Sequence, residues 1–197
     1  MDRFTLRRAL LALCLGLTAN AAWAHTGNMA GGFASGFTHP LFGWDHVVAM
    51  VAVGLWGAFL GMPAIWVLPV TFPLVMTIGG ALGVAGVPLP AVEIGIALSA
   101  IVLGAMVAFA VRPPLWVAAV IVATFAIFHG HAHGTELPSA ADPIAYSLGF
   151  VVATGLLHLA GIAIGLVVRW PRGKDVVRVC GIGIAVAGVV FLVHPLT

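Results

Sequence analysis

An all-α, polytopic membrane helix bundle of about six transmembrane helices is the fold this sequence predicts, and three observations predict it. Of its 197 residues, 62% are hydrophobic and only 7% charged, with a mean hydropathy of +1.17. Soluble domains carry about 45–50% apolar and about 25% charged residues, so a water-soluble fold is excluded. The apolar residues come in stretches of about 20, the length that crosses about 30 Å of hydrocarbon as a helix. Short breaks rich in Pro and Gly separate these stretches, leaving no soluble domain or linker. Disorder is excluded too, because disordered chains are polar. The formal charge of +2 says little by itself. No nucleic-acid partner is expected, and the lipid bilayer is.

The chain opens with Arg3, Arg7 and Arg8, an apolar stretch over 9–17, and the small-residue pattern Ala22-Trp23-Ala24. That order describes a secretory signal peptide over 1–24, cleaved after Ala24, with 25–197 as a single transmembrane helical domain. Cleavage leaves Cys180 as the only cysteine, so no internal disulfide is expected, and Cys180 reads as packing.

Six spans follow, over about 42–60, 65–84, 91–111, 115–128, 144–168 and 176–193. The fourth is short and reads as tilted or broken. Gly61-Met62-Pro63, Pro88-Leu89-Pro90, Pro113-Pro114, Pro138 with Pro143, and Pro171 with Gly173 mark the breaks. With His25 outside, Arg112, Arg169, Arg172, Lys174 and Arg178 all fall on the cytoplasmic side, as basic residues do. Asp45, Glu93, Glu136 and Asp142 fall outside. The expected location is therefore a bacterial inner membrane, multi-pass, with a periplasmic mature N-terminus. A homo-oligomer is compatible with the sequence.

Eight histidines stand out against eight basic and six acidic residues. The first constellation is His39-Pro40-Leu41-Phe42-Gly43-Trp44-Asp45-His46. Pro40 fits the first turn of a helix. A carboxylate at Asp45 costs on the order of 2–3 kcal/mol in the outer leaflet unless it faces a polar interior. His46 shares a helix face with Met50. About 10 Å of rise separates His39 from His46 in an unbroken helix, so the two meet at one ion only if the helix bends, with Gly43 the candidate hinge. Otherwise they are successive stations along a path.

The second constellation is Phe128-His129-Gly130-His131-Ala132-His133-Gly134-Thr135-Glu136. The three histidines point one way from an extended segment, whereas on a helix only His129 and His133 align. Gly130 and Gly134 favour an unwound segment, which membranes tolerate where it lines a cavity. Imidazole with carboxylate suits nickel, zinc, copper and iron, while the lack of a thiolate cage argues against Cu(I). His158, in the fifth span, either bonds a backbone carbonyl or Thr154, or relays the ion inward. Glu93 either joins the site or suits its helix dipole. His25 with a freed amine forms a candidate chelate. His194 reads as incidental.

At these two segments the sequence resembles the HupE/UreJ family of membrane nickel transporters. The family pattern of a His, five residues and Asp-His reads here as His39, Asp45 and His46. The pattern Phe-His-Gly-x-Ala/Val-His-Gly-x-Glu reads as the run from Phe128 to Glu136. The resemblance implies uptake of Ni²⁺, with Co²⁺ as a second candidate, as transported substrate for hydrogenase or urease assembly. It implies His39, Asp45, His46, His129, His133 and Glu136 as metal ligands, with His131 at a variable position. His25, His131, His158, Met50 and Glu93 are the further candidates for ligand or relay.

No catalytic residues and no organic cofactor are expected. The alternatives are a metal-dependent membrane hydrolase using His133 and Glu136, or a haem-binding subunit. No His-Glu-x-x-His pair or Gly-x-Ser-x-Gly elbow supports the first. Only His158 lies deep enough for the second. No nucleotide-binding loop is present in the sequence, so ATP coupling within this chain is not expected, and the transporter that the resemblance implies is a secondary transporter or permease.

Overall fold

The computed structural model describes residues 30–137 and 142–194, so the expected signal peptide and His25 lie outside the described residues. Seven α-helices are present among the described residues, and no strand. They are α1 (Ala30–Phe42), α2 (Trp44–Leu60), α3 (Ala64–Val84), α4 (Val92–Ala108), α5 (Leu115–Thr135), α6 (Pro143–Gly165) and α7 (Gly173–Val193). A 3-10 turn over Leu166–Arg169 extends α6.

A helix that is apolar all round must be buried on all sides. α2 is that helix. Met50, Ala52, Val53, Leu55 and Trp56 have no exposed surface, and α2 touches α1, α3, α4, α6 and α7. Around it α3 pairs with α5, α4 with α7, and α6 with both α1 and α2. Helix α6 begins where Asp142 accepts the backbone N–H groups of Ile144 (2.9 Å) and Ala145 (3.0 Å), with Pro143 in the first turn. This is a satisfied N-cap, and it fixes where α6 starts beside the histidines.

The expected span over 42–60 is α2, and a further helix, α1, precedes it. α1 and α2 meet at an 80° bend, with Gly43 extended (φ −79°, ψ 100°) between them. Pro40 does not open a helix as expected; it sits inside α1, close to its C-terminal end. The fourth stretch, expected to be short and to end near residue 128, runs 21 residues to Thr135 and carries the histidine segment into the helix. The glycines there do not unwind the backbone. A Cβ on Gly130 would run into the Met76 carbonyl, and one on Gly134 into the Gly80 carbonyl, so both let α5 lie against α3. Helices in lipid associate through such small residues.

Four helices are long and apolar enough to cross a membrane: Ala64–Val84, Leu115–Thr135, Pro143–Arg169 and Gly173–Val193. The bent pair α1–α2 makes a fifth if counted as one span, while α4, at 17 residues, is shorter. By length and apolarity the expected six full spans thus reduce to four or five. The bundle has two chemically distinct ends, about 20 Å apart along α2. His46 stands at one. At the other the Arg112 guanidinium lies over the Phe59 ring (4.6 Å), and Arg178 Nε donates to the Ala108 carbonyl (2.8 Å).

Candidate metal centre

The bend at Gly43 carries His39 back over the start of α2, and the end of α5 meets both. His39 Nε2 lies 3.1 Å from His133 Nδ1, and His133 Nε2 lies 3.2 Å from His46 Nδ1. His46 Nε2 in turn lies 3.3 Å from the Thr154 hydroxyl of α6. Three imidazoles and a hydroxyl from α1, α5, α2 and α6 thus form one polar chain. Glu136, the residue that caps α5, brings Oε2 to 3.5 Å from His39 Nε2 and 3.7 Å from His133 Nδ1. Ligand atoms of His39, His133 and Glu136 all lie within 4.8 Å of one another. Imidazole nitrogens and a carboxylate oxygen are donor types that divalent transition-metal ions accept.

The centre opens into a cavity of about 720 Å³, lined also by Asp45, Glu93 and His129. Burial deepens steeply from its mouth. The Glu136 side chain is 53% exposed, His39 38% and His133 16%, whereas His46 and His129 are 2% and 1% exposed as residues. Asp45 Oδ1 accepts the His46 backbone N–H (2.8 Å), which satisfies one orphan amide of the α2 N-terminus and leaves the second oxygen for the cavity. Glu93, in the first turn of α4, lines the same cavity and also suits its helix dipole.

Hydrogen bonding to His133, and then to His39, lowers the Glu136 carboxyl to about 2 against the opposing effect of partial burial. It is thus an anion at neutral pH, at the mouth, where a cation arrives first. Glu136→Gln is expected to weaken binding of a divalent transition-metal ion about tenfold by calorimetry, because it removes that charge and a hard donor while keeping the shape.

His129 Nδ1 sits 3.1 Å from the Phe125 carbonyl. A carbonyl only accepts, so this nitrogen carries the ring proton, and Nε2 presents its lone pair. Phe150 packs on the rings of His133 (4.5 Å), His46 (5.1 Å) and His39 (6.3 Å), holding them from the α6 side. Sequence reasoning missed Phe150, and it weighed Thr154 only as one of the partners open to His158, whereas the hydroxyl meets His46. The spacing of Tyr146, Phe150, Thr154 and His158, four residues apart along one helix face, was the available signal.

Other candidates stand elsewhere. His131 does not line the cavity; its Nε2 donates to the Val87 carbonyl (2.7 Å) in the α3–α4 connection. Met50 belongs to the apolar core. His158 is buried against Phe72 (5.7 Å between ring centroids). His194 is exposed at the end of α7.

A multi-pass helical membrane protein that gathers histidines and carboxylates at one end of its bundle is the class that fold and site define. The HupE / UreJ protein family model matches residues 11–191, and the chain belongs to this family. It is also similar to Protein HupE of Rhizobium leguminosarum bv. viciae, 46% identical over 172 residues, which is 87% of this chain and 90% of that protein. No solved structure matches. The family is associated with nickel and cobalt transport and is of transporter type, not enzymatic.

Proposed function

We propose that this chain is a secondary transporter that takes up Ni²⁺ across the bacterial inner membrane to supply hydrogenase or urease metallocentre assembly. The observation that carries the reading is the convergence of His39, His133 and Glu136 on one point, continued inward by His46. Asp45 and His129 complete the proposed ligand set from the cavity wall. The supporting physics is a gradient from an exposed anion to buried neutral donors, which draws a hydrated cation in and then replaces its water. The end bearing this basin faces the periplasm in the proposed orientation, after removal of a signal peptide over 1–24. Arg112 and Arg178 at the other end then face the cytoplasm.

The test is Ni²⁺ accumulation in cells expressing the chain or its His46→Ala and Asp45→Asn variants at equal protein level. Both variants are expected to accumulate far less than the parent. Uptake equal to the parent in both would remove the basin from the pathway.

Acidification is expected to weaken binding. Protons compete with the metal for imidazole lone pairs, so affinity falls as pH falls. Glu136, lowered to about 2, stays ionised across this range and is not the group that titrates. A calorimetric series from pH 7.5 to pH 5 is expected to lose about tenfold or more in affinity.

A further inference from the structure

Beneath the basin the polar groups do not stop. His129 Nε2 and His158 Nε2 are both buried and without a hydrogen-bond partner. The two residues are 1% and 2% exposed. A buried polar atom left unpaired costs about 1–3 kcal/mol, and such orphans call for an explanation. These two share a neighbour. The Phe72 ring of α3 meets the His129 ring edge-on at 5.4 Å and the His158 ring edge-on at 5.7 Å.

Their placement along the helices gives the orphans a direction. On α6, His158 follows Thr154 by one turn, about 6 Å deeper into the bundle. Thr154 itself is bonded to His46, the innermost member of the imidazole chain, and the His46 and His129 rings are 5.6 Å apart. Thus the surface donors of the basin lead to His46, then to His129 beside it, and then past Phe72 to His158. The backbone at that last position is held firmly, because Gly54 of α2 lies directly against the His158 carbonyl.

We propose that His158 is an inner ligand of the ion pathway, receiving a divalent transition-metal ion that leaves the basin by way of His129 Nε2. This rests on the reading of the basin as the entry site. A neutral imidazole suits such a station, since it offers one lone pair to a metal without adding a charge that would trap it. Passage needs binding loose enough to release, and a single histidine past an aromatic ring meets that need better than a second cluster. No bond is made or broken except coordination bonds.

The experiment uses the full chain and Ni²⁺ in two measurements: equilibrium binding in detergent, and entry into proteoliposomes. His158→Ala and His158→Gln are compared with the parent and with His46→Ala; Gln keeps a polar end and much of the volume. Both His158 variants are expected to bind Ni²⁺ within about twofold of the parent and to lower the maximal entry rate about tenfold, with KM little changed. Parental entry rates in both variants would overturn the proposal. So would a joint loss of binding and entry in His158→Gln at an unchanged melting temperature, since His158 would then be a support of the basin. Failure of the basin reading is separately visible: the parent would then bind no Ni²⁺, or His46→Ala would bind as the parent does.

Discussion

His133→Ala is expected to lower Ni²⁺ affinity by more than about 100-fold and to abolish uptake. Loss of a supporting group behind a metal ligand already costs about 10- to 100-fold, and His133 is in the proposed ligand set itself. It is also the joint of the site, because one ring nitrogen faces His39 at 3.1 Å and the other faces His46 at 3.2 Å. Without it the mouth and the buried donors are no longer connected. Calorimetry reads the affinity, and a thermal melt supplies an independent check. A bound ligand raises the melting temperature only of a protein that holds it, so Ni²⁺ should stabilise the parent and leave His133→Ala unmoved. An affinity within about threefold of the parent would show that this ring is not a ligand.

Gly130→Ala is expected to destabilise the bundle by about 3 kcal/mol, as overpacking of a tight interface does. The added methyl group would collide with the Met76 backbone carbonyl, and backbone cannot swing aside as a side chain can. Gly80→Ala is the internal control. Its Cβ would meet only the Gly130 carbonyl, at 3.5 Å, an ordinary contact, so a change within about 0.5 kcal/mol is expected. Thermal melts of the two variants in the same detergent compare them directly. Equal melting temperatures would mean that α3 and α5 are not in backbone contact at Gly130.

Much of the candidate site was legible from the sequence. Polar residues are costly in an apolar chain, so His39, Asp45, His46, His129, His133, Glu136 and Glu93 announce themselves by composition alone. The structure brings all of them around one cavity. The condition that one ion needs a bend at Gly43 was also readable, since helical rise sets the separation of His39 from His46. What was not legible depended on partners distant in sequence. Gly130 and Gly134 look the same whether they loosen a helix or let another lie against it, and only the presence of α3 decides between the two. The length of α5 followed the same choice. The pairing of Thr154 with His46 was not legible for a related reason: a hydroxyl facing inward has local and distant partners available, and the bend that delivers His46 is not a local property. The structure supports four or five of the six expected spans, because α2 qualifies only together with α1 and α4 has 17 residues, at the short end for a crossing.

The elbow at Gly43 places the outermost imidazole on a short lever. His39 lies about 6 Å along α1 from that fulcrum, so turning the arm by about 20° displaces it by about 2 Å. That distance separates a nitrogen in contact with His133 from one beyond its reach. The remaining donors belong to α2, α5 and α4, which are braced within the bundle. The arm is clamped as firmly as they are, because a Cβ on Gly36 of α1 would collide with the Tyr146 carbonyl and one on Gly149 of α6 with the Phe33 carbonyl, so the seat of α1 on α6 sets how far His39 stands from His133.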